Sequence, residues 1–236
     1  MILVEPSHEI LNTTPDLLQL IERAGRTCYK SEGRLITRET AVEFIRMIIE
    51  RGHHAVLEHA NITVKFVCDR GVTHELVRHR LAAYCQESTR YCNYSRKKFG
   101  NQCTFVLPCW LRERVEPGEY ESLGAFFNVN QDPDWTNSER EELEDWAQGL
   151  FEDEKRYQRM IKRGWAPQKA RYGLPNGLKT EIVMTANVRE WRHVFELRVD
   201  SAAHPSMIEM MRPLYLECRS KWPVLFSGHL DRFLPP

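Results

Sequence analysis

Hydrophobic and polar positions alternate along the chain with two periods, one typical of helices and the other of strands. Apolar residues at every third or fourth position indicate amphipathic helices. Such helices are predicted at residues 15–26, 37–51, 72–80, 138–163, 187–198 and 205–219. Short alternating or apolar runs indicate strands, which are predicted at residues 61–68, 103–107 and 178–186. Because both element types are mixed and no glycine-rich dinucleotide fingerprint is present, the pattern predicts a single α+β domain over residues 1–236.

Residues that start and stop helices refine these boundaries. Thr14, ahead of Pro15, is expected to cap the first helix. Thr37 is expected to begin the second helix, which Gly52 ends. Ser138 is expected to cap the long helix that follows the middle of the chain.

The same pattern predicts which segments are exposed. Residues 116–137 are acidic and rich in Gly, Pro, Asn and Asp, which predicts a solvated surface excursion rather than a domain boundary. The fifth predicted helix has a strong apolar side instead. Its inward residues are expected to be Trp191, Val194, Phe195 and Leu197.

The balance of charge limits the classes of ligand. The 236 residues carry 33 Lys and Arg against 33 Asp and Glu, so the formal net charge is +0. This balance argues against a protein that binds nucleic acid through bulk positive charge. Any anion site must therefore come from local clustering of cations.

Cysteine usage and hydropathy indicate a cellular compartment. Seven cysteines are scattered without C-x-x-C spacing, which predicts free thiols and disfavours structural zinc. Free thiols and the lack of an apolar N-terminal signal segment are expected of a cytoplasmic protein. No uninterrupted apolar run of about 18 residues occurs, so no transmembrane segment is expected.

Four cationic or potentially cationic side chains lie within thirteen residues: Arg78, His79, Arg80 and Arg90. They repel one another unless an anion lies among them, and a guanidinium can pair with phosphate through two parallel hydrogen bonds. On composition alone, a solvated basic helix end is an equally good interpretation. The hydroxyls at residues 88–89 and the amides of a predicted loop favour a phosphate site.

Two further clusters carry polar side chains that could bind a ligand. The stretch GHHAVLEH, residues 52–59, lacks the order H-E-x-x-H, so hydrogen bonds to backbone or to a cofactor are favoured over a metal. On the fifth predicted helix, Asn187, Arg189 and His193 can share one side. A salt-bridged helix surface is the alternative for this second cluster.

The stretch RHRLAAYCQESTRY resembles the R-H-R-x7-S motif of the flavin-dependent thymidylate synthases. Arg78, His79, Arg80 and Ser88 match its fixed positions. Further segments resemble that family in the same order along the chain, at residues 52–59, 69–80, 170–175, 185–198 and 203–205. Several collinear segments make the resemblance specific.

The resemblance implies a fold, a reaction and partners. The implied fold is a mixed or antiparallel sheet flanked by helices, and the implied reaction is the reductive methylation of dUMP to dTMP. FAD is the implied cofactor, with NADPH and methylenetetrahydrofolate as co-substrates. The family also implies a homotetramer with FAD at subunit interfaces. No metal, nucleic acid or membrane is expected among its partners.

Matching positions imply which residues form the site. The implied cofactor-binding residues are His53, Ala55, Arg78, His79, Arg80, Gln86, Asn187, Arg189 and His193. The implied dUMP-binding residues are Glu75, Leu76, Val77, Arg78, Gln86, Glu87, Ser88, Thr89, Arg90, Arg171 and Arg198. Two positions depart from the commonest pattern. Ala55 stands where many relatives carry Ser or Thr, and Gln86 replaces an acidic residue that some relatives carry.

Arg198 and Ser88 are the expected catalytic residues. Negative charge develops on the uracil ring as its C5 becomes nucleophilic, and a fixed guanidinium near N3 and O2 would stabilise that charge most in the transition state. The implied reaction needs no enzyme nucleophile, so Ser88 is expected to bind substrate rather than attack it.

Two other interpretations stay open. Tyrosines interleaved with Arg and Lys over residues 78–98 would also suit an RNA-binding module. A flavin-dependent methyl transfer to uracil in RNA would use the same cofactors. Flavin binding separates the first alternative from the thymidylate synthase prediction, and a substrate test separates the second.

Overall fold

The computed structural model describes residues 1–132 and 134–228. Its helices are α1 (Leu17–Cys28), α2 (Arg38–Glu50), α3 (Arg70–Leu76), α4 (Leu123–Val129), α5 (Asn137–Lys162), α6 (Pro167–Ala170), α7 (Val188–Arg198), α8 (Pro205–Lys221) and α9 (Pro223–Phe226). Its strands are β1 (Ile2–Val4), β2 (Ser7–Thr13), β3 (Asn61–Asp69), β4 (Ala82–Gln86), β5 (Thr104–Val106), β6 (Gly118–Glu119) and β7 (Lys179–Asn187). Helices and sheets are mixed along the chain, which confirms the predicted α+β class.

The chain divides into two compact units. Unit 1 comprises Met1–Ser7, Val67–His74 and Gln86–Ile182. Unit 2 comprises His8–Phe66, Glu75–Cys85 and the chain from Val183 onwards. The single domain expected from the sequence stays a prediction.

Unit 1 contains a three-stranded sheet in the order β5-β1-β6. β1 pairs in parallel with β5, with Leu3 opposite Phe105, and pairs antiparallel with β6. These two apolar side chains join a core that includes Phe126 of α4 and Phe151 of α5. The core therefore ties the first residues of the chain to its middle third.

A four-stranded sheet has the order β2-β3-β7-β4, and β3 and β7 each bury alternate side chains. In unit 2, Trp191 of α7 donates through its indole N–H to the carbonyl of Ile62 at 3.0 Å. The Phe195 ring lies 5.4 Å from the Tyr215 ring of α8, measured between centroids. These buried contacts fix the position of α7, which carries several of the predicted site residues.

The observed helix caps agree with the sequence in part. Thr37 caps α2 through reciprocal hydrogen bonds in a capping box, as predicted. Thr14 does not cap α1, because its hydroxyl accepts from the first residue of β3, and Asp16 precedes the helix instead. Ser138 lies inside α5, which is capped by Thr136, two residues earlier.

The structure changes the prediction at the end of α3. The helix expected at residues 72–80 begins at Arg70 and ends at Leu76, so residues 78–80 lie beyond it. β4 follows at Ala82–Gln86, where no strand was predicted. Pairing with β7 explains this strand. Such a partner lies far away along the sequence and leaves no local signal.

The predicted solvated excursion at residues 116–137 is wrong in part. Tyr120 and Phe126 are buried within it, and their ring centroids lie 5.1 Å apart. Pro133, in the same segment, lies outside the described residues. In α7, Leu197 is exposed rather than inward, whereas the other three predicted inward residues are buried: Trp191, Val194 and Phe195.

Two further observations concern cysteines and hydropathy. All seven cysteines are free thiols, as predicted. Burial raises the pKa of the Cys218 thiol to about 12, so this side chain stays protonated. Within residues 1–132 and 134–228, no helix combines the length and the hydrophobicity needed to cross a bilayer.

Candidate functional site

In unit 1, the chain after β4 forms a tight turn centred on Ser88. The backbone N–H groups of Tyr91 and Cys92 donate to the Ser88 carbonyl at 3.0 and 2.9 Å. The N–H of Arg90 donates to Ser88 Oγ at 3.3 Å. Serine hydroxyls commonly close such turns. The turn brings the predicted residues 87–90 together on one short loop.

The orientation of the Gln86 amide follows from its neighbours. Thr73 Oγ1 donates its proton to the Arg70 carbonyl at 2.9 Å, so this oxygen can only accept from Gln86. Gln86 Nε2 lies 3.0 Å from Thr73 Oγ1 and 3.3 Å from Thr180 Oγ1. The amide nitrogen therefore faces the two threonines, and Gln86 Oε1 is the atom suited to accept a hydrogen bond from a ligand.

Glu87 is held by two neighbours that sequence reasoning missed. The Tyr94 hydroxyl donates to its carboxylate at 2.7 Å, and Lys179 Nζ donates at 3.1 Å. Lys179 also donates to Glu181 at 2.6 Å. Burial, followed by the negative charge of Glu87, raises the pKa of Tyr94 far above its ordinary value, so its hydroxyl remains a donor.

Two guanidiniums supply positive charge beside this turn. Arg171 Nη1 donates to the hydroxyl of the buried Thr89 at 3.4 Å. The exposed Arg90 places its guanidinium 5.4 Å from the centroid of the Tyr91 ring. Guanidiniums and hydroxyls around one turn are typical of a phosphate site.

In unit 2, Arg198 is anchored by three hydrogen bonds. Its Nη1 donates to Glu75 Oε2 at 2.7 Å, and its Nη2 donates to the Glu75 carbonyl at 3.1 Å. Its Nε donates to His79 Nε2 at 3.0 Å. These bonds join the last residue of α7 to Glu75 in α3 and to His79 just after it, and they bring together three residues that the resemblance assigns to the site.

His79 is neutral in this arrangement. It is almost fully buried, and its pKa is lowered to about 4 by burial and by the nearby charges of Arg198 and His193. Its ring packs edge-on against His193 with centroids 5.8 Å apart. Its Nδ1 lies 3.3 Å from Glu190 Oε1.

A cleft of about 410 Å³ opens in unit 2 beside these residues. It is lined by His54, Glu58, Leu81, Asn187, Arg189, Glu190, Arg192, His193 and Glu196. Asn187 also caps α7, because its Oδ1 accepts from the backbone N–H of Glu190 at 2.8 Å. Arg189 pairs with Glu58 at 2.5 Å. The cleft therefore brings together the 52–59 stretch and the polar residues of α7, which are far apart in the sequence.

The end of α3 and the segment after it contain predicted residues with different surroundings. The Leu76 side chain is fully buried and belongs to the core, although its carbonyl accepts from the Tyr84 hydroxyl at 2.8 Å. Val77, Arg78 and Arg80 are exposed. Arg78 and Arg80 are therefore open to solvent, as Arg90 is.

The histidine-rich stretch lies in a short 3-10 helix, His54–His59, that contains Ala55. His53 Nδ1, just before it, lies 3.3 Å from the Tyr29 hydroxyl. In the part of the chain that the structure describes, no three His, Cys, Asp or Glu side chains are grouped closely enough to hold a metal ion.

Several residues at these two sites had no signal in the sequence. Glu190 and Lys179 contact predicted residues only because strand pairing and helix packing bring distant segments together. Tyr84 is close in sequence to His79, whose carbonyl accepts from its hydroxyl. Glu190 stands three residues after Asn187 and could have been recognised as an acidic residue in the first turn of a helix. That pattern predicts a helix start and not a site.

Comparison with known proteins defines the class to which this chain belongs. The profile of the thymidylate synthase complementing protein family matches residues 9–224. A flavin-dependent thymidylate synthase from Pyrococcus abyssi is 35% identical over 196 residues, which are 80% of this chain and 69% of that protein. One from Mycobacterium avium is 33% identical over 201 residues, 84% of this chain and 72% of that protein. The chain belongs to the thymidylate synthase complementing protein family, which confirms the family inferred from the motif.

Solved structures share the fold at lower identity. A UMP/dUMP methylase from Streptomyces cacaoi, bound with 5-Br dUMP, superposes with a TM-score of 0.72 over 100% of both chains at 19% identity. Thymidylate synthase X from Helicobacter pylori, solved with FAD and dUMP, superposes with a TM-score of 0.67 at 22% identity, covering 94% of this chain and 97% of that one. These likenesses confirm the predicted fold.

Proposed function

We propose that this protein is a flavin-dependent thymidylate synthase that converts dUMP to dTMP. Methylenetetrahydrofolate supplies the carbon, and NADPH supplies the reducing equivalents through FAD. The observation that carries this proposal is that the two ends of the motif form two different structures. Its first part, at His79, anchors a guanidinium, and its last part, at Ser88, forms a hydroxyl-rich turn. The similar proteins from Pyrococcus and Mycobacterium are named flavin-dependent thymidylate synthases and match most of this chain, which supports the same reaction.

The residues of the unit 2 cleft fit a flavin dinucleotide. Arg189, Arg192 and the two histidines of the cleft offer cationic or hydrogen-bonding groups to a pyrophosphate and to the polar edge of a ring. Leu81 is largely exposed and offers an apolar surface to a flat ring. The chemistry that bound FAD supplies is the transfer of a hydride derived from NADPH. Arg78, His79, Arg80, His53 and Ala55 complete the proposed cofactor set from the resemblance.

The Ser88 turn of unit 1 is the proposed site of the dUMP phosphate. Arg90 and Arg171 neutralise its charge, while Ser88 and Thr89 contribute hydroxyls. Gln86 Oε1 can accept a hydrogen bond from an N–H group of a neighbouring ligand. Ser88 binds substrate here, in agreement with a reaction that needs no enzyme nucleophile.

Arg198 is the proposed catalytic residue. As C5 of uracil becomes nucleophilic, negative charge develops on the ring, and the guanidinium stabilises that charge. Glu75 and His79 hold this group before substrate arrives, so it does not have to reorganise during the reaction. Pre-organised charge of this kind lowers the barrier more than a mobile side chain does.

The assembly and location follow the family expectation. We propose a homotetramer with FAD at subunit interfaces, acting in the cytoplasm. Large exposed apolar side chains such as Leu81, Tyr91 and Tyr172 support burial against another subunit. Free thiols fit a reducing compartment.

A product assay tests the proposed function. Purified protein is incubated at low oxygen with FAD, NADPH, methylenetetrahydrofolate and dUMP, and each component is omitted in turn. We expect dTMP only when all four are present. Parallel reactions replace dUMP with UMP or with uracil-containing RNA. If the protein binds flavin and oxidises NADPH but methylates only UMP or RNA, the proposed cofactors are correct and dUMP is not the acceptor. If the protein binds no flavin, the whole proposal is wrong.

A further inference from the structure

Glu190 is a buried carboxylate that the resemblance does not assign to the site. It lies in the first turn of α7 and is 6% exposed. Its Oε1 lies 3.3 Å from His79 Nδ1. The other ring nitrogen of His79 accepts from Arg198, the proposed catalytic residue. A single imidazole therefore connects Glu190 to Arg198.

The proton positions along this connection can be deduced from chemistry. An arginine Nε always carries its proton in proteins, so His79 Nε2 must be the acceptor. A neutral imidazole has one proton, which must then be on Nδ1. The Glu190 carboxylate can accept a hydrogen bond from this Nδ1–H group. The chain of bonds thus runs from Arg198 to His79 and from His79 to Glu190.

The opposite tautomer would break both contacts. A proton on His79 Nε2 would face the N–H of Arg198, and a bare Nδ1 would face the carboxylate of Glu190. Glu190 and Arg198 thus favour the same tautomer from opposite sides of the ring. Tyr84 restrains the backbone at this point, since its hydroxyl donates to the His79 carbonyl at 2.9 Å.

Other charged groups around His79 act in the same direction. Burial disfavours the charged ring, and the positive charges of Arg198 and His193 lower the pKa of His79 further. Burial raises the pKa of Glu190, while His193 lowers it. The ring is therefore held neutral, with a partner on each nitrogen.

We propose that Glu190 is a positioning residue that holds His79 as the Nδ1–H tautomer and, through it, fixes the guanidinium of Arg198 for catalysis. The catalytic part of this inference rests on the proposed function. Three N–H groups of Arg198 are engaged by His79 and Glu75, which leaves one on each terminal nitrogen for a ligand. The direction of those two N–H groups depends on how firmly His79 and Glu75 hold the rest of the guanidinium.

Kinetics of Glu190 variants provide the first test. Glu190→Ala removes the acceptor, and we expect kcat for dTMP formation to fall by about 10- to 100-fold, as a displacement of about 1 Å can produce. The KM for dUMP should change less, because the phosphate turn is untouched. Glu190→Gln keeps a side-chain oxygen that can accept from Nδ1–H, and we expect it to recover most of the lost kcat.

A matched control separates positioning from general destabilisation. Glu22 is another buried carboxylate of unit 2, and it is paired with Arg26 away from the proposed site. Glu22→Gln should lower the midpoint of urea unfolding while leaving kcat of the folded protein unchanged. If Glu22→Gln and Glu190→Ala lower kcat together with stability, Glu190 has a structural role only and the proposal fails.

A double-mutant cycle tests the route through Arg198. Arg198→Lys keeps the positive charge but removes the Nε–H that His79 accepts. In that background, Glu190→Ala should cause little further loss of kcat, since the connection is already broken. A full additional loss would show that Glu190 acts independently of Arg198 and would overturn the proposal.

A structural readout does not depend on activity. A neutron diffraction structure of the wild-type protein should show deuterium on His79 Nδ1 and none on Nε2. A crystal structure of Glu190→Ala should show the Arg198–His79 contact lengthened from 3.0 Å. An unchanged contact, or deuterium on Nε2 in the wild type, would contradict the proposal. If the wild type shows the expected structure but makes no dTMP, the proposed function fails while the positioning of Arg198 stands.

Discussion

Gln86 donates to Thr73 through its amide nitrogen at 3.0 Å, and Thr73 has already donated its own proton to the Arg70 carbonyl. Thr180 accepts from the same nitrogen. The side chain at position 86 must therefore donate hydrogen bonds to the two threonine hydroxyls. The side-chain amide does so without bringing a charge into the site.

This relationship predicts the effect of Gln86→Glu. An ionised carboxylate cannot donate, so its oxygen would face the Thr73 oxygen with no proton between them. We expect the free energy of unfolding to fall by about 1–3 kcal/mol, the cost of a buried polar group without a partner. Urea unfolding measures this loss, and kcat/KM for dUMP should fall as well. Gln168→Glu, at an exposed position of unit 1, should change neither quantity. Wild-type behaviour of Gln86→Glu would refute the deduced amide orientation.

Arg198→Ala tests the proposed catalytic residue. We expect FAD to stay bound, as judged from the flavin absorbance of the purified protein. Turnover should fall by roughly 100- to 1000-fold or more, as is typical when a group that stabilises developing charge is removed. Arg23→Ala, at an exposed position of α1, is the control and should keep full activity. Near-normal turnover of Arg198→Ala would rule out the role.

Two glycines offer a matched pair of stability measurements. A Cβ added at Gly25 of α1 would lie 2.5 Å from Phe44 Cε1, so Gly25→Ala forces the buried ring of α2 to move. We expect a loss of about 1–3 kcal/mol in the free energy of unfolding. At Gly149 of α5 nothing lies within 4 Å, so Gly149→Ala should stabilise by about 0.5–1 kcal/mol through helix propensity.

Urea unfolding would measure both glycine variants. Equal effects of the two substitutions would contradict the close packing of α1 against α2. The proposed site should be unaffected by Gly149→Ala, so its kcat serves as a check that the fold is intact.

The neutral state of His79 predicts a dependence of stability on pH. Its pKa is about 4 in the folded protein, against an ordinary value of 6.5. Between these values the unfolded chain binds a proton that the folded protein does not, so acidification through this window lowers stability. Above pH 6.5 the contribution of neutral His79 to the free energy of unfolding is fully present.

Urea unfolding at about pH 7 and about pH 5 measures this effect. We expect His79→Gln to lose less stability over that interval than the wild type, because the titrating group is gone. His74→Gln removes an exposed histidine and should keep the wild-type difference. An equal acid sensitivity of the wild type and His79→Gln would contradict a lowered pKa of His79.

The sequence by itself determined the family and those helices and strands whose local pattern is strong, and its site residues stay predictions. Local signals were sufficient where the physics is local, as in the capping box at Thr37 and the apolar alternation of β3. The motif at residues 78–91 was equally decisive, because its side chains and their spacing are specific. Boundaries failed where a distant partner decided them, as at Thr14, whose hydroxyl bonds to β3.

Only the tertiary structure decided how the site residues are held. β4 forms because β7 lies beside it, and no residue within β4 indicates which strand it pairs with. Residues 120 and 126 are buried in a segment whose composition predicted exposure, because their rings join the core of unit 1. The link from Glu190 through His79 to Arg198 joins positions more than 100 residues apart along the chain. Proton positions in such a network depend on the distances between specific atoms, and those distances exist only once the chain has folded.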